Sequence, residues 1–494
     1  MKKAVCLVVG ALIVVCGLAP YGFGVRTEQT LTALVQLTAD AWNIPLYTTH
    51  YTRGWFGSTA ETFLELPPEM AAVLRPYLPH VPSATPEGLT MAHHIQHGPF
   101  PLGVRLGVSL SLLPVQTMII SSLVPGVLGS SRGFLPAAAL PALQVYTTVF
   151  LHGAGRGHFV MSAFAYPPGA PTEARLVWEG LHGDVTVDAN GHHVTGSLRA
   201  LGLKLARQDG EFALHDVVTR AHMSTAHRQP SRSDTFVRVG AIEMTSRTAN
   251  QSIWSMTGGE VRALTTVAGE TLQAVADVQL DTLRLADVPY GPGTSHLELR
   301  RLDIVALARL LREVIAQWQD EPNIASLWMR LLWSGDLPHL LSEVARTHPE
   351  IALTQMRLHT TDGEIHASAQ VRLHGSRLLA PGYLPQLLQS IDAKAEGEAP
   401  VSWVRAVVAA QVSKAMRARN TVAALLPAPV LNRLAAAISD QYLRSLVEQE
   451  YLVLDGNTYK SKARYIHGQL LVNGKPLALP HAEALVTPYD GIAP

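Results

Sequence analysis

Three short stretches carry residue types and spacings that could do chemistry. Gly129-Ser-Ser-Arg-Gly133 fits the G-x-S-x-G pattern of a nucleophile elbow, with Ser131 in the nucleophile position. An elbow needs a strand before it and a helix after it on a parallel α/β sheet. No such βα alternation surrounds it, and Pro136 and Pro141 break the segment after it. A loop is the default reading there, and a serine hydrolase using Ser131 is the alternative. Gly153-Ala-Gly-Arg-Gly157 has dinucleotide-loop glycines, but the chain from His158 to Tyr166 reads as a strand. Without a helix N-terminus there is no dipole to hold phosphate, so the stretch reads as a hairpin turn. His93, His94 and His97 form the third. On a helix His93 and His97 would share a face, as zinc ligands do. From Leu89 to His97 the pattern alternates as a strand, which puts His93 and His97 on one side and His94 on the other. No Glu follows in H-E-x-x-H fashion, and no P-loop, paired carboxylates or zinc spacing occur elsewhere. The sequence therefore assigns no catalytic residue, no cofactor, no metal and no enzymatic activity.

Composition narrows the class further. Lys and Arg total 39 against 39 Asp and Glu, a net charge of +0, which argues against a nucleic-acid partner needing a basic face. Charged residues are only 16% while hydrophobic ones are 47%. Soluble proteins carry roughly 25% charge. The shortfall points to a large sheet area or to apolar surface kept for a partner. The two cysteines, Cys6 and Cys16, lie in the N-terminal apolar run, so no disulfide can staple the remainder. A chain of 494 residues can bury a core without one.

The N-terminal run organises the rest. Lys2 and Lys3 precede an uncharged stretch from Ala4 to Val25. Its length approaches the roughly 20 residues that span a hydrocarbon core, and the flanking lysines hold the N-terminus in the cytoplasm. Tyr21 and Phe23 fall where an interfacial aromatic belt would sit. The expectation is an uncleaved signal anchor over residues 1–25, a single-pass membrane helix with the body exported. A cleaved signal peptide is the competing reading: Gly17-Leu-Ala19 has the small residues, although Pro20 would follow the cut. A lipid anchor at Cys16 is weaker, since Val15 stands where a small residue belongs.

Beyond the anchor, residues 26–45 read as a juxtamembrane amphipathic helix, from Arg26 to Trp42 and ended by Pro45. Residues 46–300 read as β-rich. Strands are expected on both sides of Arg53-Gly-Trp-Phe-Gly57, then at Leu89–His97, Val104–Leu113, Gln144–Leu151 and Gly157–Tyr166, with a loop from Leu123 to Leu143. A meander comes next, with Arg175–Glu179 and Asp184–Asp188 as separate strands and one long alternating run from Thr271 to Val288. Residues 301–494 read as a mixed helical and hairpin region of the same body. Helices are expected at Leu302–Trp318, Ile324–Trp333, Leu337–Arg346, Glu398–Arg419 and Ala428–Glu450, the last with Leu431, Leu434, Ile438, Tyr442 and Leu446 on one face. The hairpin is Glu350–Thr360 with Glu364–Gly375. The fold class is α+β: mainly long antiparallel sheet, with packed helices in the C-terminal half and one N-terminal transmembrane helix.

Tyr51-Thr-Arg-Gly-Trp-Phe-Gly57, Ile95-Gln-His-Gly-Pro-Phe-Pro101, Val177-Trp-Glu-Gly-Leu-His-Gly-Asp184 and Val472-Asn-Gly-Lys-Pro476 resemble the YdgA-like family of bacterial proteins. The stretch Val104 to Pro141 is more apolar and glycine-rich than that pattern. The resemblance implies an inner-membrane-anchored periplasmic protein and assigns no reaction. It marks Tyr51, Arg53, Gly54, Trp55, Phe56, His97, Gly98, Pro99, Phe100, Pro101, Asn473 and Gly474 as structural residues, with Trp55 and Phe56 expected as core plugs. The functional expectation is a non-enzymatic envelope protein that binds a hydrophobic, lipid-like ligand or an envelope protein partner. The alternatives are the Ser131 hydrolase and an assembly scaffold; self-association is left open.

Overall fold

Alternating apolar and polar residues in runs of ten or more cannot sit as helices, and they pair here into antiparallel sheet. The computed structural model describes residues 19–33, 35, 36, 39, 45–65, 88–98, 115–124, 143–166, 175–206, 210–225, 231–246, 251–285, 288–307, 309–310, 343–374, 389–419 and 427–477. The expected strand Val104–Leu113, the helix Ile324–Trp333 and most of the leader lie outside them. The chain divides into two compact units, Met1–Thr257 and Gly258–Pro494.

The first unit includes a helix, α1, with described residues 19–33, 35, 36 and 39, so helical structure begins ahead of the expected Arg26. Among the described residues no helix is long and apolar enough to cross a membrane. The strands form a meander: β1 (Leu46–Arg53), β2 (Gly57–Glu65), β3 (Gly88–His97), β4 (Val115–Val124), β5 (Leu143–Phe150), β6 (Gly155–Met161) and β7 (Phe164–Tyr166), then β8 (Arg175–Val187), β9 (His193–Ala206), β10 (Gly210–Ser224) and β11 (Ser231–Ser246). Each of β1 to β6 pairs with the next, except that β6 and β7 together flank β8, which leads on to β9, β10 and β11. The two strands expected at 175–179 and 184–188 are one strand, bent at a bulge where Gly180 takes φ of 119°. β4 extends the sheet through residues that the sequence left partly unassigned. Gly153-Ala-Gly-Arg-Gly157 is the expected turn, closed by Phe150 N–H donating to Ala154 O at 2.8 Å.

Along β8 to β11 the apolar positions change parity midway. Leu176 and Trp178 give way to Leu181, Val185 and Val187 in β8; Leu205, Leu203 and Leu201 give way to Ala200, Leu198 and Val194 in β9. In β10 the change falls at Asp216, whose φ is 46°. The parity change falls at these irregularities, where the extra residue of a bulge resets the alternation along the strand.

In the second unit β12 (Gln251–Ala268, which straddles the division) pairs through Glu260–Ala268 with β13 (Thr271–Leu280). The long expected run to Val288 is interrupted at Asp281, giving a short β14 (Thr282–Leu285). β15 (Val288–Asp303), β16 (Glu350–Thr360), β17 (Gly363–Leu373), β18 (Ile391–Pro400) and β20 (Thr458–Ile466) continue the sheet, with β19 (Val453–Asp455) beside β20 and β21 (Gln469–Val472) and β22 (Lys475–Leu477) closing it. β15 runs through residue 300, and a helix begins only from 304. Helix α2 (Val401–Arg419) starts three residues later than expected because Glu398–Pro400 belong to β18; α3 is Ala428–Glu448. The stripe that α3 buries is Leu431, Ala435, Ser439 and Leu443. Leu434, Ile438 and Tyr442, expected inward, are 42%, 39% and 54% exposed. Two apolar stripes run side by side on this helix, and the narrower, small-residue one packs inward.

One face of this sheet is a ladder of opposed charges. Its hub is Glu350, with a side chain only 5% exposed. Arg372 Nε donates to it at 3.0 Å, Gln370 donates beside it, and Arg300 and Arg301 lie at 3.6 and 3.7 Å. Burial pushes this carboxyl upward, but the hydrogen bonds from Gln370 and Arg372 and the arginine charges prevail and hold it below its ordinary range. Its stabilising charge is thus present at neutral pH and lost as pH falls through the folded value. Replacing Glu350 with Ala is expected to cost about 2–3 kcal/mol in denaturant unfolding of this unit, since three half-exposed guanidinium groups lose a buried partner. An unchanged unfolding midpoint would refute that role.

Candidate functional site

β3 is the strand that carries the histidines, and its alternation places His93 and His97 inward and His94 outward, as the sequence implied. His93 and His97 are 8% and 3% exposed. Each imidazole lies between hydroxyls from the flanking strands. His93 Nε2 is 2.9 Å from Thr62 Oγ1 of β2, and Nδ1 is 2.7 Å from Ser121 Oγ of β4. His97 Nε2 is 2.8 Å from Ser58 Oγ of β2, and Nδ1 is 3.4 Å from Thr117 Oγ1 of β4. Ser58, Thr62, Thr117 and Ser121 are themselves buried. With both ring nitrogens satisfied by neutral groups, burial lowers the pKa of each imidazole and keeps it uncharged.

A histidine beside a serine is the start of a hydrolytic dyad. Among the described residues no carboxylate orients either ring, and each serine is buried rather than placed at an open cleft. Among the described residues no group of three or more His, Cys, Asp or Glu side chains is placed to hold a metal. Ser131 lies outside the described residues. The cluster's chemistry is that of a buried, fully satisfied polar layer.

Of the family-motif residues, Tyr51, Arg53, Gly54, Trp55, Phe56, His97 and Gly98 lie in the same part of the first unit as this layer. Gly54 N–H donates to Gly57 O at 2.9 Å and closes the β1–β2 hairpin. Trp55 and Phe56 stand at its tip, 48% and 65% exposed, so neither is a core plug. A hairpin tip has no sheet face beneath it, which is why these rings project outward. Trp55 instead meets Tyr21 of α1 with ring centroids 5.2 Å apart. Arg53 lies over Tyr21 at 5.5 Å and pairs with Glu28 at 3.2 Å. Burial is the largest influence on the Tyr51 phenol and raises its pKa. Gly98 follows His97 where a β-carbon would sit 1.6 Å from Val115 O, so no other residue fits that approach to β4. Pro99, Phe100 and Pro101 lie outside the described residues. Asn473 and Gly474 belong to the second unit, where Asn473 accepts from Lys462 N–H at 2.8 Å and donates to Glu450 O at 3.0 Å. The sequence did not reveal the hydroxyls of Thr27, Ser58, Thr62, Thr117 and Ser121; the two-residue spacings of Ser58 from Ala60 and Thr62 were their one signal.

The histidine face continues across the sheet as an apolar surface. By register, the row Ala60, His93, Ser121 runs on through Val145, Phe159, Gly183, Leu198, Thr219 and Val237. Neighbouring rows hold Leu143, Met161, Leu181, Ala200, Val217 and Val239 on one side, and Val185 and Val187 with Val194 and Met223 on the other. Over β5, β6 and β8 to β11 this face measures about 24 Å by 20 Å, from six strands about 4.8 Å apart and four rows about 6.8 Å apart. None of its large side chains is fully buried, and Leu198 and Met223 are each 40% exposed. The grooves of 640 and 580 Å³ in the second unit differ: they lie on its charged face, lined by Arg300, Arg357, His366, Glu396, Glu398 and Lys462.

The histidine layer carries a pH dependence whose sign is fixed. The unfolded chain binds protons on His93 and His97 near the ordinary value of about 6.5, and the fold resists doing so. The stability gained is complete above that value and lost as pH falls below it toward the lower folded values. Denaturant midpoints of the first unit are expected to drop between about pH 7.5 and about pH 5.5, and His93→Gln is expected to shrink the drop. Ser121→Ala, which orphans Nδ1 of His93, is expected to cost about 1–3 kcal/mol at neutral pH. A pH-independent midpoint, or a silent Ser121→Ala, contradicts this account.

No curated protein and no solved structure matches the chain. A family model described as a bacterial protein of unknown function (DUF945) matches residues 1–480. The resemblance to YdgA-like proteins is compatible with that match. With 1–480 covered out of 494 residues, the chain belongs to the DUF945 family of bacterial proteins.

Proposed function

We propose that this chain is a non-catalytic protein, tethered by residues 1–25 to the inner membrane with its body in the periplasm, that holds a hydrophobic, lipid-like ligand on the apolar face of its first unit. One observation carries the reading: six strands present a contiguous apolar face whose large side chains stay partly exposed, Leu198 and Met223 most of all. Contiguous apolar surface of several hundred Å² mostly marks interaction sites. The opposite face of the same strands is polar, with Arg156 and His158 at Asp184 and Arg199 at Asp216, so the asymmetry is specific. The leader supports the tether through its length, its lysine flank and its lack of charge. The satisfied, enclosed histidines support a role without catalysis.

A photo-crosslinking residue placed at Leu198 in cells, with His222 on the opposite face as control, tests the ligand. Adducts of lipid mass at 198 and none at 222 are expected. Polypeptide adducts alone would replace the lipid reading with that of a protein-binding scaffold. The tether predicts that the mature protein keeps its N-terminus and fractionates with membranes; a mature N-terminus beyond Ala19 refutes it.

A further inference from the structure

Helix α1 touches the histidine layer at one end, and the hydrogen bonds there have only one consistent direction. Thr27 Oγ1 donates to Phe23 O, one turn back, at 2.8 Å. Its single hydrogen is spent, so its 3.0 Å contact with Thr117 Oγ1 requires Thr117 to donate. Thr117 in turn has no hydrogen left for His97, so His97 Nδ1 carries the proton and donates to Thr117. His97 Nε2 is then the acceptor for Ser58. The chain runs Ser58 to His97 to Thr117 to Thr27 to the helix carbonyl; it needs the ring proton on Nδ1, and its first link, from Ser58, holds only for a neutral imidazole. At Gly24 the helix presses so close that a β-carbon would lie 3.0 Å from His97 Nε2, leaving no room for water to solvate a charge there.

We propose that α1 is a pH-released strap: a proton on His97 Nε2 forces Ser58 to turn from donor to acceptor, places a positive charge beneath the helix, and frees α1 from β2 to β4. Among the described residues no group on the surrounding elements neutralises that charge. On α1, Glu28 is committed to Arg53 of β1, and Arg26 is exposed and itself positive. On β1, the Tyr51 phenol is held protonated by burial. On β2, Glu61 falls on the opposite face by its register with Ala92. β4 contains no ionisable residue, and His93 of β3 has its own hydroxyl bracket. Because α1 includes the last residues of the leader, from 19 to 25, its release would lengthen the link between the rest of the leader and the sheet. This inference rests on the contacts of α1 alone and stands whether or not the apolar face holds a lipid.

Amide hydrogen exchange across residues 19–36 of the full-length protein in detergent micelles tests it, after correction for intrinsic exchange. Between about pH 7.5 and about pH 5.5 the opening of α1 is expected to rise by up to about tenfold, the limit for one linked proton below an ordinary value of about 6.5. His97→Gln is expected to abolish the step, and His93→Gln to leave it in place. Thr27→Val, which cuts the chain without touching the ring, is expected to raise exchange already at neutral pH. An unchanged step in His97→Gln, or an unchanged neutral rate in Thr27→Val, overturns the proposal. If His97→Gln does not fold, the titration of the His97 ring by NMR in the wild type must share its midpoint with α1 release; separate midpoints overturn it equally.

Discussion

Two buried imidazoles must remain uncharged, one of them beneath a helix, and the first unit is arranged around that requirement. A buried polar atom without a partner costs about 1–3 kcal/mol, and each ring brings two. Serine and threonine meet the need because a hydroxyl can give or take a hydrogen, whichever the tautomer demands. Aliphatic neighbours would fill the same volume and leave four nitrogens orphaned. The same pairs fix register: sliding β3 by one residue against β2 or β4 turns both rings to the outer face and breaks all four contacts. Register at this end of the sheet is thus set by polar pairing, and the meander from β5 to β11 inherits it strand by strand.

The second unit solves register differently. Its strands alternate small apolar residues with charges, so opposed charges meet across neighbouring strands. Lys460 sits near Glu398 and Asp455, Lys462 near Glu396, and His296 near Asp277. Most of these pairs are exposed and each contributes little to stability. A one-residue slip would nevertheless set like charges opposite one another along several strands at once. Glu350 is the exception in energy because it is enclosed. The low overall charge, 16%, is explained by this concentration: many of the charges serve a sheet face in pairs, and few are left for apolar surfaces elsewhere.

How far the sequence revealed this varied with the kind of signal. Long alternating runs such as Glu350–Thr360 and the glycine-marked turns were legible, because period two with Asn-Gly or Asp-Gly punctuation has few other meanings. The inward side of His93 and His97 followed from the same period. β18 was missed although Ile391–Pro400 alternates, because the residues between its charges are Ala393, Ala395, Gly397 and Ala399, which carry little strand propensity. Trp55 and Phe56 were misplaced because aromatic character was weighed ahead of their position in a turn. On α3, Leu434, Ile438 and Tyr442 form the larger apolar stripe and Leu431, Ala435, Ser439 and Leu443 the buried one; hydrophobicity alone cannot say which stripe a neighbouring helix covers. The hydroxyl partners of the histidines were invisible because the pairing is made across strands far apart in sequence.

The relief of the apolar face bears on what it can hold. Val185 Cγ1 and the Phe159 ring lean over Gly157, within 2.8 and 3.6 Å of where a β-carbon would stand, and Leu198 leans over Gly183 at 3.0 Å. Large side chains lie down on a glycine floor instead of standing in ridges. A helix packs by setting its ridges into grooves, and a surface of low relief offers few grooves for them. A second sheet would need interdigitating side chains of matching height. A slender, flexible apolar chain needs neither, since it conforms to a smooth surface and gains from the area it covers. That relief suits the lipid-like occupant proposed for this face better than it suits a folded partner.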